Sequence, residues 1–363
     1  MLKKSLPCSV VLLLVVFATG CSVYDPSLVN RGDSSVSPSF QPPARPDVDD
    51  EPDMPEMVFA LRDVRLDQRG GDWRGIGFDL DHLNTVEPAR ATTCNPPSGS
   101  LPPVDGNEGR DNVFGETLSP TVLNVLPDLQ RDARAAQDFG TGVILVIISG
   151  YDGTENDPHV DVSLAVSVYG TTLTDYPNVE LVDGVPRVDT RAADEPVWEG
   201  TDYFWAREDN FSGGDPKLPR IHDDDAYVSG GYLVVNVPAL AEFPFPGQEI
   251  GILAKLTETI LVGKIGNNRM QLQDVTLAGR WGLLDLRETV NALAACPGID
   301  DSGEAVSILN RLLNDIADVR AHPPSAGPAA DCNALSIGIT LQGTRANIGG
   351  LAPGPSLDTI CPP

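Results

Sequence analysis

The chain has 363 residues, of which 52 are Asp or Glu and 25 are Lys or Arg, for a formal net charge of −27 at pH 7. That balance excludes nucleic acid and anionic lipid surfaces as electrostatic partners, because both are bound through Lys and Arg that displace counterions or meet anionic head groups. It suits a surface kept soluble by like charge, or acidic loops that collect Ca²⁺.

At the N-terminus, Lys3 and Lys4 precede an apolar run over residues 10–17 that ends in Ala18-Thr19-Gly20-Cys21. A charged start and a short apolar core make a secretory signal, too short for a permanent membrane-spanning helix. The small residues before Cys21 resemble the lipobox of bacterial lipoproteins, with Ala18 where Leu is commoner. The resemblance implies a signal peptide over residues 1–20, lipidation of Cys21, and, with Ser22 rather than Asp next to it, sorting to the outer membrane. Residues 21–56, rich in Pro, Ser and Asp, then read as a disordered tether that holds a domain away from the head groups.

From Met57 the pattern changes to short strand-like runs between turn residues. Residues 58–61 and 75–80 come first, followed by the β-branched run 143–148, whose flanking Gly142 and Ser149-Gly150 mark it as a buried central strand. Residues 160–168 and 232–237 alternate apolar with polar, as half-buried antiparallel strands do. Runs over 250–256, 258–262 and 270–277 supply further strands. We therefore expect an antiparallel β-sandwich, jelly-roll-like, over residues 57–281.

After Trp281 the period lengthens. Leu283, Leu286, Val290 and Leu293 share one helical face, and Ala305, Ile308, Leu309, Leu312, Leu313, Ile316 and Val319 form a second stripe. Asp301 with Glu304 has the spacing of a capping box, and Pro323-Pro324 stops the helix. A last alternating run over 335–341 predicts one more strand, so residues 282–363 are expected to pack as a helical portion on the sandwich.

Of six cysteines, Cys8 lies in the signal and Cys21 at the lipidation site, which leaves Cys94, Cys296, Cys332 and Cys361 in an exported domain. Four thiols in an oxidising compartment predict two disulfides. Three connectivities are open; Cys332–Cys361 with Cys94–Cys296 is favoured because the first closes the C-terminal tail.

Three groups of residues are candidates for a site. In the Gly-rich loop from Asp105 to Asn112, Asp105, Asn107 and Asp111 offer the oxygen ligands that Ca²⁺ requires, although the loop departs from the EF-hand pattern. The acidic runs 152–157 and 222–225 could donate to a cation or simply face solvent, with His222 read as an exposed imidazole rather than a ligand. Trp198, Tyr203 and Trp205 stand among Glu195, Glu199, Asp202, Glu208 and Asp209, and aromatic faces beside carboxylates suit glycan binding or glycan hydrolysis. No nucleophile-elbow, Walker A or dinucleotide-binding motif is present in the sequence.

Asp105-Gly106 leading to Asp111-Asn112-Val113-Phe114-Gly115, the run from Ala226 through Tyr227-Val228-Ser229-Gly230-Gly231-Tyr232 to Val234, Leu277-Ala278-Gly279-Arg280-Trp281, and Cys332-Asn333-Ala334-Leu335-Ser336-Ile337-Gly338 together resemble a group of uncharacterised exported proteins and lipoproteins from myxobacteria-like species. The resemblance implies a family without implying an activity. The expectation from the sequence is a lipid-anchored cell-envelope protein, a non-catalytic binding or structural module for an envelope protein or glycan, with a glycan-active protein as the alternative.

Overall fold

The computed structural model describes residues 39–48, 51–88, 90, 92–97, 100–173, 179–182, 185–188, 195–237, 240–245, 252–294, 303–322 and 330–354. Eight strands form one closed antiparallel barrel. They are β1 (Met57–Arg62), β2 (Ile144–Ser149), β3 (Asp157–Thr171), β7 (Ile221–Ser229), β8 (Tyr232–Val237), β10 (Ile252–Ile265), β11 (Gln271–Gly282) and β12 (Ala334–Ala352). Each pairs with the next barrel strand along the chain, and β12 returns to β1, with Val58 opposite Ala346 and Arg62 opposite Gln342. Two strands lie outside. β6 (Tyr203–Arg207) pairs with β12 and β3, and β9 (Ala241–Phe245) pairs with β10. β4 (Val179–Val182) and β5 (Val185–Val188) form a separate hairpin.

The expected sandwich is therefore corrected to a barrel. Alternation along a strand reports which side is buried, and that signal is the same whether a sheet faces a second sheet or curls onto itself. What distinguishes the two is the pairing of residues 58–62 with 342–346, and no local pattern encodes it. The division at 281/282 is corrected for the same reason: it separates β11 from β12, its hydrogen-bonded neighbour from Gln271 to Gly282.

Alternate residues of all eight barrel strands converge in a single apolar cluster, among them Phe59, Leu61, Val146, Leu164, Val228, Leu233, Leu261, Leu277 and Ile339. Eight strands enclose a space that side chains can fill, so this cluster is the packed barrel interior. Short hairpins join β2–β3, β7–β8 and β10–β11 at one end, and the opposite end carries the helices. There a π-helical turn over Phe114–Leu118 leads into α1 (Ser119–Val125) and α2 (Leu129–Asp138) ahead of β2, while α3 (Leu283–Ala294) and α4 (Glu304–Asp315) lie between β11 and β12. Leu118, Leu123, Leu129, Ala133, Leu286, Val290, Leu309 and Leu313 join the interior cluster, so both helical pairs plug that end.

The two C-terminal helices match the sequence periodicity, although α4 ends at Asp315 and starts after Gly303 without a side-chain cap. Asp301 lies outside the described residues. The segments read as strands over 250–256 and 258–262 are one strand, β10, interrupted by a bulge between Thr257 and Ile260. Residues 75–80 are not a strand. They cross the outside of the barrel as an extended segment whose Phe78 and Leu80 pack on Tyr227, Val234, Val262 and Ala278. The crossing is close: a side chain on Gly338 of β12 would meet the Gly77 Cα at 2.9 Å.

The latter part of the tether expected over 21–56 also lies on the barrel. Phe40 stacks on Phe78, Tyr227 Oη donates to the Pro43 carbonyl, Arg45 pairs with Asp225, and Met54 N donates to the Tyr151 carbonyl. Pro and Asp content pointed to a tether because it lacks periodicity, yet an extended strap needs only isolated anchors such as Phe40 and Arg45.

The disulfide pairing is likewise corrected. Cys94 bonds to Cys332, across a sequence separation of 238 residues. The bridge is sealed by Cys332 N donating to the Asn95 carbonyl and Asn95 N donating to the Ala330 carbonyl. Cys296 and Cys361, along with Cys21, lie outside the described residues.

Candidate functional site

A cleft of about 550 Å³ opens on the outer wall of the barrel, over β8, β10 and β11. Its walls come from Gln41 of the strap, Asp79–His82, Thr93 beside the disulfide, the barrel strands themselves, and Arg320 after α4. The β10 bulge explains why Glu258, Thr259 and Ile260 all line it, since an extra residue breaks the alternation that would send one of them inward. Glu258 sits at the bulge with a positive φ of 49°.

Arg280 pins these parts together. It is buried on β11, donates from Nη1 to the Arg320 carbonyl at 2.9 Å and from Nη2 to the Leu80 carbonyl, and keeps Nε without a partner among the described residues. Gln41 Nε2 donates to the Asp79 carbonyl at 2.7 Å, which fastens the strap to the same segment.

Behind the cleft lies a concentration of carboxylates. One oxygen each from Asp79, Asp81 and Asp111 can be found within 4.8 Å of one another. Asp111 Oδ2 accepts the Leu80 N–H at 2.7 Å and the Asp81 N–H at 3.2 Å. Asp81 accepts from Leu83 N at 2.9 Å and from Thr93 Oγ1 at 3.0 Å. Asp79 is 1% exposed, accepts the Ser39 hydroxyl on Oδ2, and has no hydrogen-bond partner at Oδ1 among the described residues.

Two further acids lie close by. Asp105 accepts from Thr85 N and lies beside Asp111. Asp318 accepts from Ser336 N at 2.9 Å and from its hydroxyl. Burial, and then the charge of the neighbouring carboxylates, pushes Asp111 well above the ordinary carboxylate range. Burial is also the leading cause that raises Asp81 and takes Asp105 and Asp318 up to about 7. The N–H and hydroxyl donors oppose that rise without overcoming it.

The structure thus brings Asp105 and Asp111 together, as the loop composition suggested, and excludes Asn107 from the group. Asn107 is exposed at the start of a one-turn 3₁₀ segment, with its carbonyl taken by Arg110. Of the two acids that replace it, Asp79 lies in the run expected as a strand over 75–80 and Asp81 follows that run directly. Their Asp-Leu-Asp spacing was the available signal, because an extended chain that buries Phe78 and Leu80 sends the intervening side chains another way.

The other acidic runs are structural. Asp157 closes the β2–β3 hairpin by accepting from Asp152 N at 2.7 Å and His159 N at 3.0 Å. Asp223 accepts from Asp225 N and Asn236 N to hold the irregular pairing beside β7, and His222 is exposed against Asp161 at 3.2 Å. The aromatic residues serve packing too. Phe204 is 1% exposed; Trp205 stacks on Tyr169 with ring centroids 6.1 Å apart. Trp198 leans on Phe204 at 5.2 Å and lies under the Arg62 guanidinium, and Tyr203 is half-buried opposite Asn347. They knit β6 to the barrel and do not line the cleft.

Comparison with known proteins returned no matching family, no similar curated protein and no similar solved structure.

Proposed function

We propose that this chain is a lipid-anchored protein of the bacterial cell envelope, related to exported lipoproteins of myxobacteria-like species, that acts as a non-catalytic binding module. The anchor is Cys21 and the destination the outer membrane, on the strength of the lipobox-like segment and Ser22. The observation that carries the binding role is the cleft of about 550 Å³, a size typical of small-molecule sites, assembled from segments that are remote in sequence.

The lining suggests the ligand class. Arg320 offers a positive charge, Glu258 a negative one, and Asn236 and Thr93 are exposed hydrogen-bonding groups, while Leu80 and Ile260 give an apolar floor. Opposite charges beside a small apolar surface suit a zwitterion of amino-acid type. A panel of amino acids, hexoses and uronic acids, screened against the mature protein by saturation-transfer NMR, tests the reading. An amino acid should give signal, and Ile260→Trp, which fills the cleft from an outward-facing position, should weaken its binding at least about tenfold, the loss of roughly one well-made contact. Signal unchanged by Ile260→Trp, or no signal from any amino acid, would remove the proposal.

A further inference from the structure

We propose that Asp79, Asp81 and Asp111 form a divalent-cation site of the Ca²⁺ class at the inner side of the cleft. The inference does not depend on which molecule the cleft takes.

The spacing is the first argument. Oxygens that bind one Ca²⁺ at about 2.3–2.6 Å lie no more than about 5 Å apart across the ion. The three carboxylates meet that limit, with oxygens within 4.8 Å of one another. The second argument is the state of Asp79. A side chain 1% exposed retains an acceptor, Oδ1, that nothing in the described residues satisfies, although buried polar atoms are almost always paired. The Ser39 hydroxyl takes Oδ2, which leaves Oδ1 as the open acceptor of a carboxylate that stands beside two others.

Ligand chemistry supports the same conclusion. All the ligands are carboxylate oxygens, which are hard donors, and their irregular placement on an extended segment and a loop suits the flexible coordination of Ca²⁺ better than the octahedron Mg²⁺ demands. An ion here would fasten residues 79–81 to Asp111, and through Ser39 would fix the start of the strap as well.

The test uses the mature protein, stripped with EGTA and dialysed against ⁴⁵Ca²⁺. One equivalent should bind, and the melting temperature should rise by about 3–5 °C at a Ca²⁺ concentration a hundredfold above Kd. Asp81→Asn, at a half-exposed position, should weaken Ca²⁺ binding at least about 100-fold, a loss of order 2.7 kcal/mol. Asp79→Asn should do the same if it folds. Asp152→Asn, in the acidic hairpin turn, should bind as the wild type does and serves as the control. The site is overturned if no Ca²⁺ binds, if Asp81→Asn binds it as the wild type does, or if Asp152→Asn is the variant that loses it.

Discussion

Replacing Cys94 and Cys332 together by Ser should lower the unfolding free energy of the mature protein by about 3–5 kcal/mol, the upper part of the range for a disulfide. The bond joins positions 238 residues apart, so its loss releases a very long loop in the unfolded chain. In the folded protein the bridge holds the 92–97 segment, including the cleft residue Thr93, to the start of β12. Urea unfolding followed by fluorescence measures the effect. The variant should unfold at a clearly lowered midpoint, whereas an unchanged midpoint would mean that the bridge contributes nothing.

The second large effect concerns location. Cys21→Ser should move the protein from the detergent phase to the aqueous phase and stop processing at residue 20. Acyl chains contribute about 0.8 kcal/mol per buried CH₂, and one chain gives only reversible binding, so the several chains of a lipidated cysteine hold a protein far more firmly than any surface contact could. At a net charge of −27 the chain has no electrostatic attraction to anionic lipid to replace them. Phase partitioning with blotting reads the outcome. A variant that still partitions with detergent would refute the anchor at Cys21.

Much of the sheet was legible from the sequence. Residues 58–61, 143–148, 160–168 and 232–237 lie within or largely overlap β1, β2, β3 and β8, because alternating or β-branched runs between turn residues are determined locally. The helical stripe through Leu309 and Leu313 was equally plain, since those residues face the barrel interior. Strands β6 and β7 were hidden. β7 carries His222-Asp223-Asp224-Asp225, whose acidity masks a ladder partner of β3, and the aromatic run of β6 suggested a binding face when it is a covering strand. The helices before β2 also went unread, because α2 buries Leu129, Ala133, Ala136 and Gln137, a face of small residues with little apolar signal.

The site was half legible for a related reason. Composition pointed to the loop around Asp105 and Asp111, and oxygen-rich loops are visible in any sequence. That Asp79 and Asp81 reach Asp111 depends on how residues 76–82 cross the barrel wall, with Gly77 against Gly338, and such a tertiary crossing leaves no periodic trace. Glu258 and Arg280 enter the cleft through a bulge and a strand pairing that are equally invisible locally.

The central claim is that binding takes place in the cleft on the barrel wall. Amide hydrogen exchange on the mature protein, with and without the amino acid that gives the strongest signal in the panel, tests this most directly. The predicted result is added protection at residues 79–82, 257–260 and 279–281, with residues 203–207 unchanged. Protection confined to residues 203–207 and the neighbouring Trp198 would contradict it and place the ligand on the aromatic strand.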